Sequence, residues 1–221
     1  MTLKIQEAVF VSPYRAFRVN KSHHIVHVVD DDESVRASIK FLVESVDLTG
    51  IEYDSADAFL RDYRDAGPGC IILDLRMPGM SGLEALDLMK QQSILEPIII
   101  MTGHGDVPVT VRAFKHGVFD FLEKPCNDNL LIETINRAIS ADILERADRE
   151  KSRSIRVALN SLTQREQEVL DLLVSGQSNK QIAEHFFLSP KTIERHRSSI
   201  MRKLEATSFA QLVRLSATRV D

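Results

Sequence analysis

Cys70-Ile71-Ile72-Leu73-Asp74-Leu75-Arg76-Met77-Pro78-Gly79 sets an aspartate at the end of four apolar residues, just ahead of a proline and a glycine. A short apolar run closed by turn residues reads as a buried strand, with its polar last residue at the carboxyl end. Two other runs end in the same way. Ile25 to Val29 leads into Asp30, Asp31 and Asp32, and Ile98 to Met101 leads into Thr102. Open α/β sheets bind ligands outside the carboxyl ends of their strands. If the three runs are parallel strands, carboxylates and a hydroxyl converge on one edge, and the convergence points to an aspartate that carries a phosphoryl group.

Around these strands the chain keeps a βαβ rhythm, which implies a parallel sheet with helices on both faces. Strands are expected at Ile25–Val29, Gly50–Tyr53, Cys70–Leu73, Ile98–Met101 and Phe119–Leu122. Helical spacing appears in Val35, Ile39, Leu42, Val43 and Val46, from Ala56 to Tyr63, in Leu83, Leu86 and Met89, from Val109 to His116, and from Asp128 to Ile139. Ala141 to Arg156 is charged, with a sparse apolar stripe and no Gly or Pro, which predicts a helical linker or a partly disordered one.

The remainder reads as four helices. Thr163-Gln164-Arg165-Glu166 is a capping box ahead of an apolar run that stops near Gly176. Asn179 to Phe186 forms a short helix, Ser189 and Pro190 open a third, and Phe209 to Leu215 forms the last. The expected architecture is a doubly wound (βα)5 parallel-sheet domain over 24–140, a linker over 141–158 and an all-α four-helix domain over 159–221. Residues 1–23 read as a disordered tail with no apolar core of signal-peptide length.

The composition is that of an ordinary globular protein, at 43% hydrophobic and 27% charged, with no apolar run near the ~20 residues a membrane span needs. The two cysteines have no metal spacing, so a cytoplasmic location away from membranes is expected. Charge is uneven along the chain. Residues 24–140 hold 10 basic and 20 acidic residues, whereas 161–221 hold 9 and 7. The first half suits a cation and the second permits nucleic acid.

Phosphoryl transfer to a carboxylate needs a divalent cation, an in-line nucleophile and donors for the equatorial oxygens. Asp30 and Asp31 offer hard ligands for Mg²⁺, Asp74 the nucleophile, Thr102 a hydroxyl and Lys124 a positive charge after the fifth strand. On these residues the chain resembles the response-regulator receiver family from His24 to about Ser140. The resemblance implies phosphorylation of Asp74 by a sensor histidine kinase. It implies Mg²⁺ on Asp31, Asp74 and the backbone carbonyl of Arg76, with Asp30 assisting through water. It also implies a cis Lys124–Pro125 bond and Phe121 as the switch aromatic. Asp32 stands outside the acidic pair and reads as a loop or helix-start acid. His104, with no second ligand at metal spacing, reads as a loop histidine, at a position that with Arg76 tunes dephosphorylation in the family.

The helix opened by Ser189 and Pro190 buries Ile193, Ile200 and Leu204 and leaves Lys191, Glu194, Arg195, Ser198 and Arg202 on the other side, the pattern of a helix that reads a DNA groove. Leu162-Thr163-Gln164-Arg165-Glu166, Asn179-Lys180, Leu188-Ser189 and Thr192-Ile193 resemble the LuxR-type helix-turn-helix domain, and the pairing with a receiver is the FixJ/NarL arrangement. By family position, Glu194, Arg195 and Ser198 are candidates for base contacts. Asn179, Lys180, Lys191, Thr192, Arg197, Arg202 and Lys203 are candidates for backbone contacts, and His196 packs. The resemblance further implies a homodimer formed on phosphorylation, double-stranded promoter DNA and RNA polymerase as partners, and transcription activation. Phe209 to Leu215 is either a dimer face or core. Two other classes remain at this point. An aspartyl-phosphate phosphatase uses similar groups but carries a second acid where Arg76 stands, and a protein-binding module without DNA lacks a use for the basic helix pair.

Overall fold

The computed structural model describes residues 24–103, 113 and 116–217. The tail over 1–23, the loop with His104 and most of the helix expected over Val109–His116 lie outside the described residues. By internal contacts the chain divides into two units, Met1–Ile143 and Leu144–Asp221.

In the first unit, β1 (Ile25–Val29), β2 (Thr49–Tyr53), β3 (Gly69–Asp74), β4 (Ile98–Thr102) and β5 (Asp120–Glu123) form one parallel sheet in the order β2-β1-β3-β4-β5. The first strand coincides with the expected one; β2 and β4 are longer by one residue, β3 by one at each end, and β5 is shifted by one. Every residue of β3 is buried, as a central strand covered on both faces requires. Its side chains alternate: Ile71 and Leu73 join one core with Phe59, Leu86 and Met89, while Cys70 and Ile72 join another with Ile39, Val43, Leu131 and Ile135. The first core is roofed by α2 (Ala56–Asp62) and α3 (Gly82–Gln91), the second by α1 (Glu33–Glu44) and the first turns of α4 (Asp128–Asn160). Order reverses between β1 and β3, so their carboxyl ends flank the crevice where this topology places its ligands.

The charged segment 141–156 is helical throughout, within the 33 residues of α4. Its Glu145 and Arg149 pair at 3.6 Å along one face, the kind of i,i+4 contact that supports a helix with a thin apolar stripe. Among the described residues, no helix is long and apolar enough to cross a membrane.

The second unit contains α5 (Gln164–Val174), α6 (Asn179–Phe186), α7 (Pro190–Lys203) and α8 (Phe209–Ala217). Thr163, Ser178 and Ser189 cap α5, α6 and α7, the first two in reciprocal capping boxes with Glu166 and Gln181. Val169, Leu170, Ile182, Ile193, Ile200 and Leu212 are fully buried in its core.

Candidate functional site

Asp30 follows β1, Asp74 ends β3, Thr102 ends β4 and Lys124 follows β5, all at one edge. Strand register keeps them level: Asp74 lies opposite Met101 and Thr102 opposite Glu123. The Lys124 amide donates to the Thr102 carbonyl at 2.9 Å, extending the ladder to the residue whose side chain turns into the site. There Lys124 Nζ donates to Asp30 Oδ2 at 2.5 Å and to Asp74 Oδ2 at 2.6 Å. The opposite carboxylate oxygens are held by backbone, Asp30 Oδ1 by the Asp32 amide and Asp74 Oδ1 by the Arg76 amide, each at 3.0 Å. The Lys124–Pro125 bond is cis.

Asp30, Asp31 and Asp74 each offer an oxygen, and these oxygens lie within 4.8 Å of one another. Asp30 and Asp74 are buried while Asp31 is exposed. Three carboxylates face one ammonium, so the site lacks positive charge. The local electrostatics follow. Burial, with the neighbouring Asp74 carboxylate, pushes the Asp30 carboxyl above its usual range despite the hydrogen bonds from Lys124 and the Asp32 amide. Burial works against the Lys124 ammonium as well, but its hydrogen bonds to Asp30 and Asp74 outweigh that and hold its pKa above the ordinary value. An excess of hard, partly buried carboxylate oxygen that one lysine does not neutralise fits a small divalent cation.

Asp32 is occupied elsewhere, since its Oδ1 caps α1 by accepting from the Ser34 and Val35 amides at 2.8 and 3.4 Å. Thr102 is buried and Phe121 is half-buried against the first core. Two contributors escaped the sequence reading. Arg36 Nη1 donates to the Asp30 carbonyl at 2.7 Å, which fixes the backbone of the acidic loop from one turn into α1. Gly82 opens α3 so close to the site that a Cβ there would meet the Asp74 carbonyl oxygen at 2.4 Å. The first has a visible signal, an arginine four residues past a helix cap; the second needs the folded packing.

In the second unit α7 buries Ile193 and Ile200 and leaves Lys191, Glu194, Arg195, Ser198 and Arg202 exposed along its outer side. Lys180, at the start of α6, is exposed, whereas Asn179, Thr192 and His196 are half-buried. Two further candidates stand differently. The Arg197 guanidinium lies 5.6 Å from the centre of the Phe209 ring, and Lys203 Nζ donates to Glu166 Oε2 at 2.7 Å and to the Ser161 carbonyl at 3.2 Å. Leu212 of α8 is fully buried and Phe209 remains 39% exposed, so this helix contributes both to the core and to the surface.

The profile described as "Response regulator receiver domain" matches residues 26–136, and the one described as "Bacterial regulatory proteins, luxR family" matches residues 160–216. The transcriptional regulatory protein FixJ of Rhizobium meliloti is 42% identical over 193 residues, which cover 87% of this chain and 95% of that protein. Among solved structures, the response regulator StyR aligns at a TM-score of 0.81 and 40% identity, covering 88% of this chain and 98% of its own. Full-length FixJ from B. japonicum aligns at 0.54 and 41% identity, covering 88% and 96%.

Proposed function

We propose, from the premise that this chain belongs to the bacterial response regulators that join a receiver domain to a LuxR-type DNA-binding domain, that phosphorylation of Asp74 by a sensor histidine kinase switches the protein into a dimer that binds promoter DNA. The receiver spans 24–140, the linker 141–158 and the DNA-binding domain 159–221. One observation carries this reading: a single ammonium, that of Lys124, joins the carboxylates of Asp30 and Asp74 at the strand edge where Thr102 also ends.

The chemistry follows from these groups. A carboxylate oxygen of Asp74 attacks the phosphorus in line; the bond from phosphorus to the kinase imidazole breaks as the aspartyl anhydride forms. Asp31, Asp74 and the Arg76 carbonyl, with Asp30 assisting through water, would hold Mg²⁺, which would supply the charge that offsets repulsion between the anions. Lys124 already sits on Asp74 Oδ2 and is placed to pair with the new phosphoryl oxygens. Thr102 donates its hydroxyl to another of them. Its movement leaves space that Phe121 fills by turning inward, driven by burial alone because a phenylalanine has no hydroxyl to anchor outside.

The segment from Val109 to Phe121 then pairs two chains. A two-fold dimer presents two α7 helices to half-sites about one helical turn apart. Glu194, Arg195 and Ser198 read bases, while Lys180, Lys191 and Arg202 hold phosphates with Asn179 and Thr192. Bound at a promoter in the cytoplasm, the dimer recruits RNA polymerase and activates transcription. Sedimentation velocity of the full chain with and without acetyl phosphate and Mg²⁺ tests this route. A larger dimer fraction on phosphorylation is expected, and monomer under both conditions refutes it.

A further inference from the structure

We propose that Glu166, which lies outside the exposed face of α7, is a positioning residue for base recognition: by holding Ser199 and Lys203 it fixes the rotation of α7 about its own axis. The inference rests on the DNA-binding reading above and deepens it.

Glu166 is 5% exposed, and its carboxylate accepts from four donors. Oε1 accepts from the Ser199 hydroxyl at 2.7 Å. Oε2 accepts from Lys203 Nζ at 2.7 Å, from the Thr163 amide at 2.8 Å and from the Thr163 hydroxyl at 3.1 Å. Burial pushes this carboxyl up, yet the hydrogen bonds from Lys203, Thr163 and Ser199 outweigh it and hold it down at about 2. One fixed anion at the start of α5 therefore grips α7 at two points a turn apart.

The grip falls where it controls roll. At about 100° per residue, Ser199 and Lys203 lie roughly 80–120° round the helix from the centre of the face bearing Lys191, Glu194, Arg195, Ser198 and Arg202. The buried stripe of Ile193 and Ile200 decides which side faces the core, but apolar contacts are non-directional and tolerate rotation. Hydrogen bonds to a capped carboxylate do not. A roll of about 30° carries a side-chain atom about 6 Å from the axis through about 3 Å, enough to break a hydrogen bond to a base edge. Phosphate contacts from flexible side chains survive such a shift, so the roll affects sequence discrimination first.

The test uses the full chain, treated with acetyl phosphate, and a duplex that the wild type selects from a random-sequence pool. Affinities are measured for that duplex, for versions changed at one base pair and for an unrelated duplex. The variants are Glu166→Gln, which keeps a capping side chain; Ser199→Ala, which leaves the α5 cap and Lys203 untouched; and Ser199→Thr, which keeps a hydroxyl. Glu166→Gln and Ser199→Ala are expected to lower the ratio between the selected and one-base-changed duplexes about tenfold, the equivalent of one lost base contact. Binding to the unrelated duplex stays within about twofold, and Ser199→Thr retains the ratio. An unchanged ratio in either of the first two variants, or an equal loss on every duplex, overturns the proposal. Failure of the wild type to select any sequence removes the DNA-binding reading itself, and the inference with it.

Discussion

Replacing Lys124 with Met removes the ammonium but keeps much of its apolar stem, and the geometry gives the effect a sign and a size. Nζ is bonded to Asp30 and Asp74, two of the three residues whose oxygens gather within 4.8 Å. A cation held by those oxygens would stand on the order of 5 Å from Nζ, where a +1 and a +2 charge repel by about 1.7 kcal/mol even at the dielectric of water. Lys124→Met should therefore tighten Mg²⁺ binding about tenfold or more. It should also lower the melting temperature without Mg²⁺, because two neighbouring buried carboxylates lose their counter-charge, and saturating Mg²⁺ should recover the loss. The chain has no tryptophan to report on the site, so calorimetric titration with MgCl₂ is the direct assay. Mg²⁺ affinity equal to or weaker than that of the wild type would show that the ammonium and the cation do not share the acidic cluster.

Three other outcomes follow from particular residues. Phe187, which ends α6 in the left-handed region at φ 55° while 95% exposed, packs on little that its loss would remove. Phe187→Gly relieves that strain and should stabilise the second unit by about 0.5–1 kcal/mol, raising its melting transition by roughly 2–5 °C; a lower transition contradicts this. Arg195→Ala should relax preference at one base position by about 1–3 kcal/mol, whereas uniform weakening on all duplexes assigns Arg195 to a phosphate. His27, buried against Tyr53 with Nδ1 3.1 Å from its hydroxyl, has its imidazole pushed down by burial from 6.5 to about 4. Between those values the unfolded chain binds the extra proton, so this stability is present above pH 6.5 and lost as pH falls toward 4, by up to about 3 kcal/mol. Urea unfolding at pH 7.5, 6 and 5 should show a steeper loss for wild type than for His27→Gln, and equal slopes refute the assignment.

The strands, and with them the strand-end positions of Asp30, Asp74, Thr102 and Lys124, were legible because an apolar run closed by a polar residue is a short-range pattern. An apolar run that must be buried on two faces announces β3, and its last residue is then Asp74, whatever packs above. The capping boxes at Thr163 and Ser178 are equally local. Contacts between distant positions leave no such periodic trace. Lys203, placed by family position among the backbone contacts, donates to Glu166, 37 residues earlier, and nothing in the spacing of either helix announces that pair. Gly82 illustrates the same gap, since only the folded approach of α3 to Asp74 explains it. The segment 141–156 was ambiguous because balanced charge supports either a solvated helix or a disordered linker; continuation from the buried turns at Leu131, Ile135 and Ile139 favours the helix.

The central claim is that one strand-end carboxylate accepts the phosphoryl group. Incubating the full chain with radiolabelled acetyl phosphate and Mg²⁺, beside Asp74→Asn, measures it directly. The account predicts acid-stable, base-labile label approaching one per chain in the wild type and none in the variant; undiminished labelling of Asp74→Asn would contradict it.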